Sequence, residues 1–292
     1  MNTQKILRAG EIAKKVKEYA KAIVKSGVPL LEIAEKIEAE IVKHGGNPAF
    51  PVNLSINNIA AHYTPSHDDK TLAHGLIKVD FGVHIDGWTA DNAFSVDLEN
   101  SSENKRLIEA SRKALEQAQK KIKIGIKLNE LGKEIEKTIE SHGFSPIINL
   151  CGHSMDEYEL HAGITIPNID DEKPIILKEG LYAIEPFTTT GSGRVHDGKP
   201  SGIYYLKNEK NVRSPTAREV LKFIIEEYKT LPFCSRWIVK KLGTKSLIGI
   251  NELEKNGNLH SFPQLIDIPH SKVAQSENTI LVEKDKVTVT TE

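Results

Sequence analysis

The sequence predicts an α/β protein made of two related halves, each a helix pair leading into strands, with a helical insertion late in the chain. Three observations predict it. Sliding the sequence along itself by 98 positions aligns Gly27–Pro48 with Gly125–Pro146 without a gap, and Gly27, Leu30, Glu32, Ile37, Glu38, Ile41, His44, Gly45 and Pro48 all recur. The stretch KVDFGVHIDGWTADNAF alternates at the period of a half-buried hairpin around Asp86-Gly87. Residues 214–256 then depart from the helix-pair-and-strand plan and read as helix throughout.

The elements follow in order. Ile6, Ala9, Ile12, Ala13, Val16, Ala20 and Ile23 lie on one stripe of a helix over residues 4–26, stopped by Gly27. A second helix over 30–44 carries Ile33, Ile37 and Ile41 and stops at Gly45-Gly46. The second half repeats the plan with helices near 103–124 and 128–142, the latter ending at Gly143. The recurring glycines and prolines weigh most, because they mark helix ends rather than generic amphipathicity. After residue 190, TTTGSGRVHDGKPSG reads as a Gly-rich loop before a short strand, IYYLK. Three helices follow, the first with Pro215 at a first-turn position, and the last ends at Gly257. The segment NTILVEKDKVTVTT predicts a closing hairpin turning at Lys284-Asp285. The domains are therefore residues 1–202 with 264–292, and an insertion at 203–263. Glu252 and Glu254 sit on the insertion's only candidate reading helix, which argues against a nucleic-acid winged helix.

Composition excludes several classes. The chain has 292 residues, 39% hydrophobic and 27% charged, with a formal net charge of −1. Nothing there favours nucleic-acid or membrane partners. Cys151 and Cys234 alone make no disulfide framework. With no secretory apolar region and no run of spanning length, the expected location is the cytoplasm.

The candidate site begins with two misplaced aspartates. With Asp86-Gly87 as the turn, Asp80 faces Ala93 and Gly82 faces Asp91, so both carboxylates share one face. Gly82 and Ala93 are expected to leave open space between them. Two neighbouring carboxylates repel unless a proton or cation lies between them. Further donors come from NLCGHSMDEYELHAG, where His153 and His161 are placed after a strand. GLYAIEPF adds Glu185 and AQSENTILV adds Glu277, each beside an apolar run. Four carboxylates and one histidine suit Mn²⁺, Co²⁺, Fe²⁺ or Zn²⁺. That much negative charge fits two ions better than one, as in hydrolytic two-metal clamps.

At this point PAFPVNLSINNIAAHYTP, KVDFGVHIDGWTAD, GHSMDEYELHAG, AIEPF and AQSENTILV together resemble the motif series of the type II methionine aminopeptidases. The similarity covers nearly the whole chain and is like the short archaeal form. It implies the pita-bread fold, two pseudo-symmetric halves around a dinuclear site, and places the insert around YKTLPFCSRW where type II members carry theirs. Carried over position by position, it implies metal ligands Asp80, Asp91, His153, Glu185 and Glu277, with Asp91 and Glu277 bridging. It implies substrate contacts from His62 and His161, a methionine pocket including Phe50, and catalytic roles for His62, His161 and Glu185. Ser276 and Asn278 depart from the pattern, where the family more often has Phe and His.

The reaction so implied is removal of an N-terminal methionine ahead of a small second residue, by attack of a metal-bridged hydroxide. Partners are then nascent polypeptide N-termini and the ribosome that presents them, and a monomer is expected. Two rivals share the fold. A non-catalytic binding protein would be expected to have lost ligands. A proline-directed dipeptidase or aminopeptidase would not account for AAHYTP together with the insert.

Overall fold

The computed structural model describes residues 1–292. Helix α1 (Thr3–Ile23) is capped by Asn2, whose side chain accepts the Lys5 N–H. Helix α2 (Leu30–Lys43) follows, and Gly27 and Gly45 both take positive φ at the helix ends. Helices α3 (Ser102–Lys121) and α4 (Leu128–Ser141) repeat the pair, again with positive φ at Gly125 and Gly143. The repeat reaches individual bonds. Arg8 donates to the His44 carbonyl at 3.1 Å, and Arg106, its equivalent, donates to the His142 carbonyl at 3.3 Å.

Both helix pairs pack on one antiparallel sheet. Its central order runs Leu76–Ile85, Trp88–Asp97, Glu277–Glu283, Gly180–Ile184, Cys151–Met155. The strand Glu277–Glu283 therefore joins the two halves, although it follows both in the chain. Ile12, Val16, Ile33 and Ile37 bury against Val79, Phe81 and Val83 in one core. Leu131, Ile135 and Ile139 bury with Ile184, Ile280 and Val282 in the other. Ile6, Phe50 and Trp88 pack with Met155, Leu160 and Leu181 in a further cluster that spans both halves.

The hairpin has the expected register, with Ile85 opposite Trp88, Gly82 opposite Asp91, and Asp80 opposite Ala93. Positive φ at Asp86 and Gly87 makes the two-residue turn. The closing hairpin pairs Glu283 with Lys286, as the Lys284-Asp285 turn requires.

Helices α5 (Pro215–Glu227), α6 (Ser235–Leu242) and α7 (Ser246–Lys255) pack on the strands His196–Leu206 and Leu259–Ile266 around a core of their own. Two expectations are corrected here. The Gly-rich stretch is not all loop, since the strand already starts at His196 and runs through Pro200 and Gly202. Register shifts on both sides of Pro200 explain how proline and glycine fit, because irregular pairing removes the need for a ladder N–H. His153 lies within the strand Cys151–Met155, not after it. Gly152 makes that possible, since a Cβ there would stand 2.3 Å from the Ala183 carbonyl oxygen. No helix is long and apolar enough to cross a membrane.

Candidate metal centre

The hairpin delivers its two aspartates to one face, and they are not solvated surface groups: Asp91 is 3% exposed. Its backbone is fixed by Thr279, whose Oγ1 accepts the Asp91 N–H at 2.7 Å and donates to the Asp91 carbonyl at 2.8 Å. Glu277 opens the central strand opposite Ala93, which sets it beside Asp91. Glu185 directly follows the strand Gly180–Ile184, and His153 pairs with Ala183 on that strand.

The five side chains converge. Ligand atoms of Asp91, His153 and Glu277 lie within 4.8 Å of one another. His153 Nε2 stands 3.7 Å from Asp91 Oδ2 and 3.7 Å from Glu185 Oε1. Asp80 enters through Gln275, a residue the sequence reading passed over. The Gln275 Nε2 amide is 3.4 Å from Asp80 Oδ2, 3.3 Å from Glu185 Oε2 and 3.5 Å from Glu277 Oε2. The available signal was its place two residues before Glu277.

The electrostatics need a cation. Burial pushes Asp80 up to about 7. Burial and mutual repulsion hold Asp91, Glu185 and Glu277 well above their ordinary values. Asp80 Oδ1 and Asp91 Oδ1 are buried without any hydrogen-bond partner. Burial also drives His153 down to about 3, leaving a neutral imidazole suited to ligation. Orphaned carboxylate oxygens around a neutral imidazole fit a divalent metal.

The centre lies at the floor of a cavity of ≈ 420 Å³. Phe50, Leu160 and the two remaining histidines, His62 and His161, line it. Ile203, Pro232 and Phe262 add a further wall. No lining residue is Lys or Arg. The space expected above Gly82 is in fact filled: a Cβ there would meet the Phe50 ring at 2.4 Å and Ala49 at 2.9 Å. Glycine thus lets Phe50 lie flat over the hairpin.

His62 has φ +63 and its Nδ1 is 3.2 Å from the Pro263 carbonyl. A carbonyl only accepts, so Nδ1 carries the hydrogen and Nε2 is left as an acceptor. Burial lowers His62 to about 4 and also lowers His161, so both are neutral at neutral pH. His161 packs edge-on to His153, with ring centroids 4.5 Å apart. The unusual neighbours of Glu277 are satisfied without Phe or His. Ser276 shares a hydrogen bond with Ser111 at 2.9 Å, and Asn278 Oδ1 accepts from Asn92 and Thr291.

Fold and site together define a metal-dependent hydrolase with the pita-bread architecture. The chain belongs to metallopeptidase family M24, whose model matches residues 4–284. It is 48% identical over 297 residues to the methionine aminopeptidase of Pyrococcus horikoshii, covering 100% of both chains. Among solved structures, a methionine aminopeptidase from Thermotoga maritima superposes with a TM-score of 0.70 at 21% identity, covering 100% of this chain and 98% of that one. A thermophilic Arx1 superposes at 0.84 with 17% identity, covering 98% and 90%. At such identities the two structures speak for the fold alone.

Proposed function

We propose that this protein hydrolyses the bond after an N-terminal methionine when the second residue is small. In this reading Asp80, Asp91, His153, Glu185 and Glu277 would hold two divalent ions (Co, Mn, Fe or Zn). The observation that carries it is the convergence of those five side chains, from both halves, at the floor of a cavity without cationic side chains. Residues 1–202 and 264–292 form the catalytic domain in this proposal, and 203–263 the insertion; the separate core under α5, α6 and α7 supports that division.

Divalent metal in such a site acidifies a bound water and polarises a carbonyl. The chain's own residues do the rest. Phe50 and Leu160 offer the methionine side chain an apolar wall, and its polarizable sulfur suits aromatic contact. The acidic floor accepts a free α-amine, and the lack of Lys or Arg leaves nothing to grip a C-terminal carboxylate. Neutral His62 receives a hydrogen bond at Nε2 from the scissile N–H. His161, packed against His153, donates to the carbonyl oxygen. Glu185 lines the same cavity and is the proton carrier, its carboxylate lying within 3.7 Å of His153 and beside Asp80 and Asp91. Phe262 stands edge-on to His62 at 5.3 Å, crowding the position of the second residue.

A peptide panel read by mass spectrometry tests this. Met-Ala-Ser and Met-Gly peptides are cleaved, Met-Leu and Met-Lys peptides poorly, and chelator stops turnover until Co²⁺ or Mn²⁺ is restored. Cleavage of acetyl-Met-Ala-Ser at the rate of the free peptide would rule out recognition of the amine.

A further inference from the structure

One buried ion pair links the insertion to the cleft. Arg236 of α6 is 2% exposed, and its guanidinium forks onto Glu38 of α2 at 2.7 and 2.8 Å. Its Nε also donates to the Pro65 carbonyl at 3.0 Å. Glu38 accepts from the Val52 N–H at 3.3 Å and the Trp237 indole at 2.9 Å. The Thr64 hydroxyl, beside Arg236, donates to the Val52 carbonyl at 2.8 Å. Four segments therefore meet at the pair: α2, the stretch after Phe50, the stretch after His62, and the start of α6.

Holding helices together does not require charge. Desolvating two ions offsets much of their attraction, and an apolar pair of similar volume often serves as well or better. What the fork supplies is direction, because bidentate bonds fix angles as well as distance. His62 needs direction. Its φ of +63 is uncommon for a residue with a Cβ and persists only where the surroundings impose it. Arg236 grips the chain at Pro65, three residues on.

We propose that Glu38 and Arg236 are positioning residues for His62, acting through Thr64 and Pro65, so that the insertion aims the histidine as well as walling the cleft. The inference rests on the role given to His62 above. The insertion holds the other histidine-bearing loop in a similar way. Thr230 donates to the Tyr158 carbonyl, and Lys229 Nζ lies 3.6 Å from the centre of the Tyr158 ring. Tyr158, also at positive φ, precedes His161 by three residues.

The test combines three variants with a double-mutant cycle on metal-loaded enzyme. Arg236→Lys keeps the charge and loses the fork. Its kcat on Met-Ala-Ser should fall on the order of tenfold or more, given what small misplacements cost. Metal content should stay at the wild-type level and KM within about twofold, because ligands and methionine pocket are untouched. Glu38→Leu combined with Arg236→Met leaves the Val52 N–H, the Trp237 indole and the Pro65 carbonyl without partners, so it should melt below wild type and remain as slow as Arg236→Lys. Arg236→Lys added to His62→Ala should slow that enzyme no further, since a positioning residue acts only through its target. Wild-type kcat in either Arg236→Lys or the apolar pair would overturn the proposal. So would an undiminished effect of Arg236→Lys in the His62→Ala background. Should the apolar pair not fold, Arg236→Lys and the cycle decide. A His62→Ala enzyme with full turnover would instead overturn the underlying assignment of His62, a separate result.

Discussion

Asp80→Asn should stabilise the metal-free protein and destabilise the loaded one. Asp80 titrates near 7 in the fold against an ordinary 3.8, chiefly because it is buried. A carboxyl whose pKa is raised by folding costs stability when ionised, and the cost vanishes once protons are bound in both states. Above pH 7 the penalty is on the order of 4 kcal/mol at 1.36 kcal/mol per unit. Between pH 8 and pH 5 more than half of it disappears by linkage. Asparagine carries no such penalty, so the metal-free variant should outmelt metal-free wild type at pH 8, with a margin that narrows towards pH 5. For 292 residues the narrowing is roughly 4 °C in Tm, from about 2.1 cal/mol/K per residue. Asp80 also helps hold Asp91, Glu185 and Glu277 above their ordinary values, so its removal relieves them too and adds to the variant's margin, while His62 and His84 lose stability towards pH 5 in both proteins. With Co²⁺ or Mn²⁺ added the order should invert, because only wild type keeps the full ligand set. Calorimetry at the two pH values, with and without metal, measures all four margins. A metal-free variant that melts at or below wild type at pH 8, or a margin independent of pH, would refute the reasoning.

Three further outcomes are expected. Asp91→Asn should lose metal and activity together, whereas His62→Ala should keep metal and lose turnover on the order of 10²-fold, read by metal analysis beside kinetics. Gly82→Ala places a methyl where the Phe50 ring lies, so the ring must shift by roughly 1 Å to regain contact distance; KM for Met-Ala-Ser should rise and overpacking should cost about 1–3 kcal/mol by denaturant titration. Thr291→Val removes the hydroxyl that accepts the Thr279 N–H and donates to Asn278, both at 3.0 Å, and should cost about 1–3 kcal/mol.

What was legible in the sequence was local or repeated. The Asp86-Gly87 turn fixes the register of its own hairpin, so the shared face of Asp80 and Asp91 follows from a few residues. The duplication is legible because helix-ending glycines recur at one spacing. What stayed hidden depends on partners far along the chain. The strand holding His153 is short and polar, and it exists because Gly152 lets it close against Ala183. Gln275 carries no charge to betray a place among three carboxylates. Glu38 and Arg236 lie 198 residues apart, and each alone reads as a surface charge.

The strand Glu277–Glu283 comes after both halves in synthesis and lies between them in the sheet. As the chain leaves the ribosome, the first helix pair can bury its apolar face before that strand exists, whereas the second still awaits Ile280 and Val282. The acidic centre cannot close until Glu277 arrives and draws Asp91 and His153 to either side of it. Charge is thus gathered only as the last apolar packing closes around it. A growing chain stalled before residue 277 would hold its first half packed, lack the strand that joins the halves, and be one carboxylate short of the acidic cluster.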